Sequence, residues 1–308
     1  MDITNSLTTI KRNFTKREIT VTQRRSIVAW VFILPALLIL GVYRGIPIIW
    51  NFYLSFQERN VIGETEWVGL GHYEAALNDP VFITSVQNNL LFLGTIPVGI
   101  TIALGLALLM DQKFPGNYVF RAIFFVPYIT MMVAIGVIWT YMFQTENGVI
   151  NYLLQQAGII ETNIRWLSDP MWARTSVFIV HTWKSVGFYM IIILAGIQTI
   201  PQQAYEVARI DGADRVQRFF YITLPLLRPT LGICVLVGLT LSFELFDLIF
   251  VMTGGGPGNS TEILITYLYK NAFNYGELGY GAMITVALFA LSLSIGYVAR
   301  YYQRGDYR

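Results

Sequence analysis

Charge is scarce in this chain: of 308 residues only 13% are Asp, Glu, Lys or Arg, whereas 55% are hydrophobic. A soluble domain of this length must cover its surface with charge, so lipid is the expected main solvent. The single cysteine, Cys234, excludes a disulfide or cysteine-cluster framework, and its place in an apolar run reads as a small core residue. There are two histidines, His72 and His181, far apart, and no His-Glu-x-x-His or Gly-x-Ser-x-Gly pattern. No metal, cofactor or nucleophile–base constellation is therefore expected, and a membrane enzyme has nothing to support it. The glycine-rich run Gly254-Gly-Gly-Pro-Gly258 is not followed by Gly-Lys-Ser/Thr, and no Walker motif occurs elsewhere, so this chain cannot hydrolyse ATP itself. A turn is the first reading of that run, close approach of a partner's backbone the second. A cleavable signal peptide is not expected either, because the first apolar stretch follows a polar tail of about 25 residues and is too long for an h-region. The tail, residues 1–25, reads as disordered or weakly helical.

What the chain has in abundance is long apolar runs. A hydrocarbon core of roughly 30 Å takes about 20 apolar residues in a helix, whose backbone satisfies its own hydrogen bonds. Six stretches qualify: Ser26–Tyr53 with Arg44 inside it, Leu90–Met110, Ala122–Phe143, Thr175–Gln198 with His181 and Lys184, Leu231–Met252 with Glu244 and Asp247, and Tyr280–Ala299. The fold class is thus an all-α membrane protein of six transmembrane helices. The runs Asn78-Asp-Pro80 and Ser168-Asp-Pro170 read as turns or caps before a helix resumes. Trp67, Trp166 and Trp172 are expected as interfacial anchors.

The positive charges give the orientation. Lys11, Arg12, Lys16, Arg17, Arg24, Arg25, Lys113, Arg121, Arg209, Arg215, Arg218, Arg228, Arg300, Arg304 and Arg308 all fall on one side of the six spans. The other side holds Arg59, Arg165, Arg174 and Lys270. Inward-facing loops retain Lys and Arg, so both termini are expected to be cytoplasmic.

Between the fourth and fifth spans, residues 200–225 form the most informative loop. Pro201 suits the first turn of a helix, Gln202–Ile210 is helical material, and Gly212 can end that helix in a left-handed conformation. A second short helix, Asp214–Ile222, puts Val216, Phe219, Phe220 and Ile222 on one side, and Pro225 and Pro229 punctuate the return to the membrane. Two readings stay open: a compact knob below the bilayer, or a connector lying on the lipid surface.

Glu206-Val-Ala208, Gly212 and Ile222-x-Leu224-Pro225 resemble the EAA loop of binding-protein-dependent ABC importer permeases, with Val207 the one departure. Val68-Gly-Leu-Gly-His-Tyr73, Arg121-Ala-Ile-Phe-Phe-Val-Pro127, Trp183-Lys-Ser-Val-Gly-Phe-Tyr189 and Phe246-Asp-Leu-Ile-Phe-Val-Met-Thr-Gly-Gly-Gly-Pro-Gly258 extend the likeness to its carbohydrate branch, of MalF and UgpA type. The resemblance implies a type I importer permease fold, with a tail over residues 1–25 and a permease domain over 26–308. It implies a multi-pass protein of a prokaryotic inner membrane, forming half of a sugar pathway that works by alternating access. Its loop 200–225 would be a coupling helix seated in the ATPase through Glu206, Ala208, Gly212, Ile222, Leu224 and Pro225. Implied partners are a second permease in a heterodimer, two cytoplasmic ATPase subunits, an extracytoplasmic substrate-binding protein, a sugar and the bilayer. No nucleic acid is expected.

Charge inside a span costs about 2.5–3.5 kcal/mol near a helix centre, so Lys184, Glu244 and Asp247 need a reason to be there. Glu244 and Asp247 share a helix face, and a sugar needs both hydrogen-bonding groups and an aromatic surface. Lys184, Tyr189, Glu244 and Asp247 are the candidates to line or border the pathway. The competing reading is a Lys184–Glu244 or Lys184–Asp247 pair that only locks the bundle. A permease for glycerol phosphate, polyols or another solute stays open, and so does an ion-coupled transporter using Glu244 and Asp247, although the latter leaves the EAA pattern unexplained.

Overall fold

The computed structural model describes residues 21–59, 65–112, 115–242 and 245–304. Within these the chain divides between Tyr53 and Leu54 into two units. The first holds most of helix α1, which runs Val21–Leu40, through a wide π turn at Gly41–Gly45, to Ile46–Leu54.

The second unit is almost wholly helical. A two-residue β-hairpin pairs β1 (Gln57–Glu58) antiparallel with β2 (Glu66–Trp67), Gln57 opposite Trp67. The short helix α2 (Gly71–Leu77) leads to α3 (Pro80–Leu93) and α4 (Thr95–Met110), which together make one candidate span, Pro80–Met110. Next come α5 (Asn117–Ile129), α6 (Met132–Met142), α7 (Val149–Gln156) and the long α8 (Pro170–Gln198). The 200–225 loop supplies α9 (Gln202–Ile210) and α10 (Arg215–Arg218); a π turn at Phe219–Thr223 then feeds α11 (Leu224–Leu241). The chain continues with α12 (Leu245–Met252), α13 (Leu264–Tyr269) followed by a π turn at Lys270–Tyr275, and α14 (Leu278–Arg304).

Both Asp-Pro runs act as expected. Asp79 caps α3 by accepting from the Val81 amide, and Asp169 caps α8 by accepting from Met171 and Trp172; in each case proline follows as a first helical residue. The missing proline amide costs nothing there, because the first-turn donors have no intrahelical partner anyway.

Helix α8 is the axis of the core, two-thirds buried, with 29 residues that rise about 43 Å at 1.5 Å each. Near its start it packs with Phe92, Ile135, Leu248 and Ile249; near its end Tyr189, Met190 and Ile193 pack with Ala103, Leu227 and Cys234. Cys234 is fully buried, the small core residue its apolar surroundings imply. In lipid such contacts gain packing rather than the water-driven hydrophobic term, so close fit matters more than apolar area.

Among the described residues, five helices are long and apolar enough to cross a membrane, and a bent pair makes a sixth candidate. That pair corrects the third expected span: Ala122–Phe143 is not one rod but α5 and α6, bent by 98°. Pro127 lies within the last turn of α5, and Thr130 and Met131 take extended backbone angles. Lack of charge selects lipid but does not protect a helix from a proline near its end. Of the fifth expected span, Leu231–Met252, α11 covers the part up to Leu241 and α12 the part from Leu245, and residues 243–244 between them lie outside the described residues. Conversely, Pro225 and Pro229 do not interrupt the return to the membrane. Helix runs from Arg215 to Leu241, with the π turn just ahead of Pro225. A widened turn gives room where proline lacks an N–H and its ring would crowd the carbonyl four residues back. Trp166 is no interfacial anchor either: it is buried, and its indole N–H donates to Asn151 Oδ1 at 2.8 Å.

Candidate functional site

Three places carry the candidate residues. The first is the knob that follows the C-terminal end of α8. Helix α9 begins after Pro201, and Gly212 stands in the left-handed region at φ +79°, where a side chain is disfavoured. Asp214 then opens α10 with a capping box: its carboxylate accepts from the Gln217 amide while Gln217 Oε1 accepts from the Asp214 amide. The tie back to the bundle is side-chain based, Tyr205 Oη to Thr223 Oγ1 at 3.0 Å. No residue of α9 or α10 is buried. Glu206 and Gly212 are exposed, and Ala208, Ile222, Leu224 and Pro225 half-buried. Ile210 keeps 85% of its surface, an unusual load of bare apolar side chain for so short a segment.

The second place is the middle of the bundle. Lys184 is buried; its ammonium donates to the Tyr128 carbonyl at 2.9 Å and lies 5.2 Å from the centre of the Tyr128 ring. Tyr189 is 1% exposed, wedged against Gly99 and Gly238. Asp247 is exposed on α12. Glu244 lies outside the described residues. Thus Lys184 and Tyr189 are both buried on α8, whereas Asp247 is exposed on α12. His181, also buried, is a satisfied polar residue: Nδ1 is 3.1 Å from Thr95 Oγ1 and Nε2 3.4 Å from the Leu241 carbonyl.

The third place was not foreseen from sequence. Around the N-terminal end of α8, Glu262 is fully buried and paired with Lys270, whose ammonium also donates to the Gly254 carbonyl. Gly255 (φ +90°) packs so tightly that a methyl group there would overlap the Glu262 carboxylate. Asn88 and Arg174 tie the same segment to α3 and α8 by donating to the carbonyls of Glu262 and Ser260. The glycine run is therefore a built turn, fixed from beneath, and among the described residues it carries no nucleotide-binding feature. Beside it, the second carboxylate oxygen of Asp79 accepts from both Tyr267 and Tyr280, joining α3, α13 and α14. Burial opposes ionisation of Asp79, but the two tyrosine hydroxyls and the Val81 and Phe82 amides outweigh it and hold the carboxyl below its ordinary range. The sequence signal for this corner was the Asp79-Pro80 cap; nothing in it named the tyrosines, which are about 190 and 200 residues away.

No arrangement among the described residues offers a metal-ligand group of three or more carboxylate, histidine or cysteine side chains.

Residues 96–305 match the family of the binding-protein-dependent transport system inner membrane component. A probable ABC transporter permease protein of Pyrococcus horikoshii is 37% identical over 86% of this chain and 91% of its own. The trehalose/maltose transport system permease protein MalF of Thermococcus litoralis is 34% identical over 92% and 96%. Among solved structures, a chain of the bacterial alginate ABC transporter, in complex with an alginate pentasaccharide-bound periplasmic protein, has the same fold. Its TM-score is 0.78 at 22% identity, over 91% of this chain and 95% of that one. The chain therefore belongs to the family of binding-protein-dependent transport system inner membrane components, as a non-enzymatic, multi-pass permease subunit of an ABC importer.

Proposed function

We propose that this permease forms half of the translocation pathway for a sugar or oligosaccharide in a prokaryotic plasma membrane, and that residues 200–225 couple it to ATP hydrolysis. The carrying observation is the knob itself: two short helices, the second opened by a capping box, with exposed Glu206, Gly212 and Ile210, unburied by their own chain. A protein leaves such apolar surface bare where a partner covers it. With the 15-to-4 split of basic residues, the knob and both termini face the cytoplasm, where the ATPase subunits are, and the Glu262 corner faces the binding protein. Residues 1–25 form the tail and 26–308 the permease domain.

A sugar is favoured by the trehalose/maltose relative and by the alginate transporter of the same fold. Asp247, exposed on α12, and Glu244, three residues before it in the sequence, line the pathway, and Lys184 and Tyr189 border it from α8. One such chain encloses too little for a whole pathway, so a second, different permease supplies the other wall.

The test is co-purification from detergent with the neighbouring ATPase and permease, comparing the parent with Glu206→Lys and Gly212→Asp. Loss of the ATPase with the sister permease retained supports coupling through the knob. A parent chain that brings down no ATPase refutes the reading. Uptake of labelled sugars by reconstituted Asp247→Asn tests the pathway assignment: unchanged uptake removes Asp247 from it.

A further inference from the structure

The break between α5 and α6 leaves a helix end in the middle of a membrane bundle. Carbonyls in the last turn of a helix have no intrahelical donor, and in hydrocarbon no water substitutes. One of these, Tyr128, receives the Lys184 ammonium at 2.9 Å. Lys184 stands 14 residues into α8, about 21 Å from either end of the helix, too far for its side chain to reach water by snorkelling. The same face of α8 completes the grip. Phe188 stacks on the Tyr128 ring, with centroids 4.1 Å apart and planes 5° apart. At Gly187 the helices approach so closely that a methyl group would overlap the Phe124 carbonyl. A cation at a helix C-terminus also meets the negative end of its dipole. One turn earlier, His181 Nε2 lies 3.4 Å from the carbonyl of Leu241, the last residue of α11.

From this geometry we infer that Lys184 is a positioning residue: with Gly187 it holds the third span in its broken form and so sets where α6, and the pathway helix α12 behind it, stand. The link from α6 onward is direct, because α6 packs along α12 with Val251 seated on Gly136. Turning α6 into line with α5 would carry α12, and Asp247 with it, out of place. The role of Asp247 rests on the pathway reading above; the pinning of the break does not.

The experiment measures the bend in the complete transporter. Spin labels on Tyr118→Cys and Tyr141→Cys, both exposed, flank the break, and buried Cys234 stays out of reach. The two arms put the labelled sites about 20 Å apart, whereas a straight helix over the same stretch would span about 35 Å. Lys184→Met is expected to lengthen the distance distribution by about 10 Å or to split it, with several-fold slower uptake at unchanged recovery of the complex. Gly187→Val, which wedges the contact open and keeps the charge, is expected to shift the distribution the same way. It decides the matter if Lys184→Met does not assemble. Parental distances in both variants overturn the proposal. Slower uptake of Lys184→Met with raised KM at the parental distance also overturns it, assigning Lys184 to the substrate. A shifted distance alongside normal uptake by Asp247→Asn supports the pin and sinks the pathway assignment instead.

Discussion

Around the start of α8, polar groups are spent on one another: Glu262 on Lys270, Asp79 on Tyr267 and Tyr280, Asn88 and Arg174 on loop carbonyls. Around its end, in the knob, Glu206, Arg209, Asp211 and Arg215 stand in the open beside bare Ile210 and Val216. Both regions are loops punctuated by glycine in the left-handed region, Gly255 in one and Gly212 in the other. Gly255 is hemmed in by its own chain, and Gly212 has nothing within 4 Å of where a side chain would begin. The first surface has its charges paired within its own chain, although Glu262 Oε1 and Ser260 Oγ there are buried without a hydrogen-bond partner, and it keeps its shape without another protein. The second is shaped to be finished by someone else. The two ends should therefore fail differently, one in stability and the other in coupling.

The largest effect is expected at the buried ion pair. Lys270→Met leaves Glu262 charged and unpaired, a loss of about 3–5 kcal/mol read as a drop in the unfolding midpoint of the purified complex. Adding Glu262→Gln to the same chain should recover most of it, because the uncompensated charge is gone. If the single variant unfolds like the parent, the contrast between the two ends collapses. Next is Gly255→Ala, at about 1–2 kcal/mol for the backbone conformation alone and more for the overlap with Glu262.

Asp79→Ala removes a cap and two tyrosine partners, about 1–2 kcal/mol. The pH dependence has a definite sign. The carboxyl is depressed in the fold, so its contribution is complete above the ordinary value near 3.9 and is lost as pH falls through the lower folded value. Acid unfolding of Asp79→Ala should thus lack a component that the parent shows, and identical acid limbs would remove Asp79 from that role.

The smallest effects on stability belong to the knob. Gly212→Ala pays the same left-handed cost, about 1 kcal/mol, but only locally, so the unfolding midpoint should hold while retention of the ATPase falls. Should Gly212→Ala lower the midpoint as much as Gly255→Ala, the knob is part of the bundle's core and not a docking element. Glu206→Lys, fully at the surface, should stay within about 0.5 kcal/mol of the parent.

Much of this was legible beforehand. Asp79-Pro80 and Asp169-Pro170 announce helix starts because a carboxylate before a proline satisfies first-turn donors locally, with no need of a distant partner. Gly212 is legible for the same reason: a left-handed residue after nine helical ones is a property of the chain next to it. The break at Thr130 was not legible, since it leaves a helix end whose partner, Lys184, comes from another helix. Trp166 misled because an indole suits an interface and a core equally well; only Asn151 beneath it decides between them.

By itself, then, the sequence determined solvent, helix content, the caps and the family, all of which follow from local composition, short spacing and charge asymmetry. Tertiary structure alone decided which intramembrane polar groups are paired, where the third span breaks, and that Glu262 and Asp79 organise one end of the bundle. The physical reason is sequence distance: Asp79 meets Tyr280 across 201 residues and Asn88 meets Glu262 across 174. No local pattern encodes such meetings, because they exist only once the helices have packed.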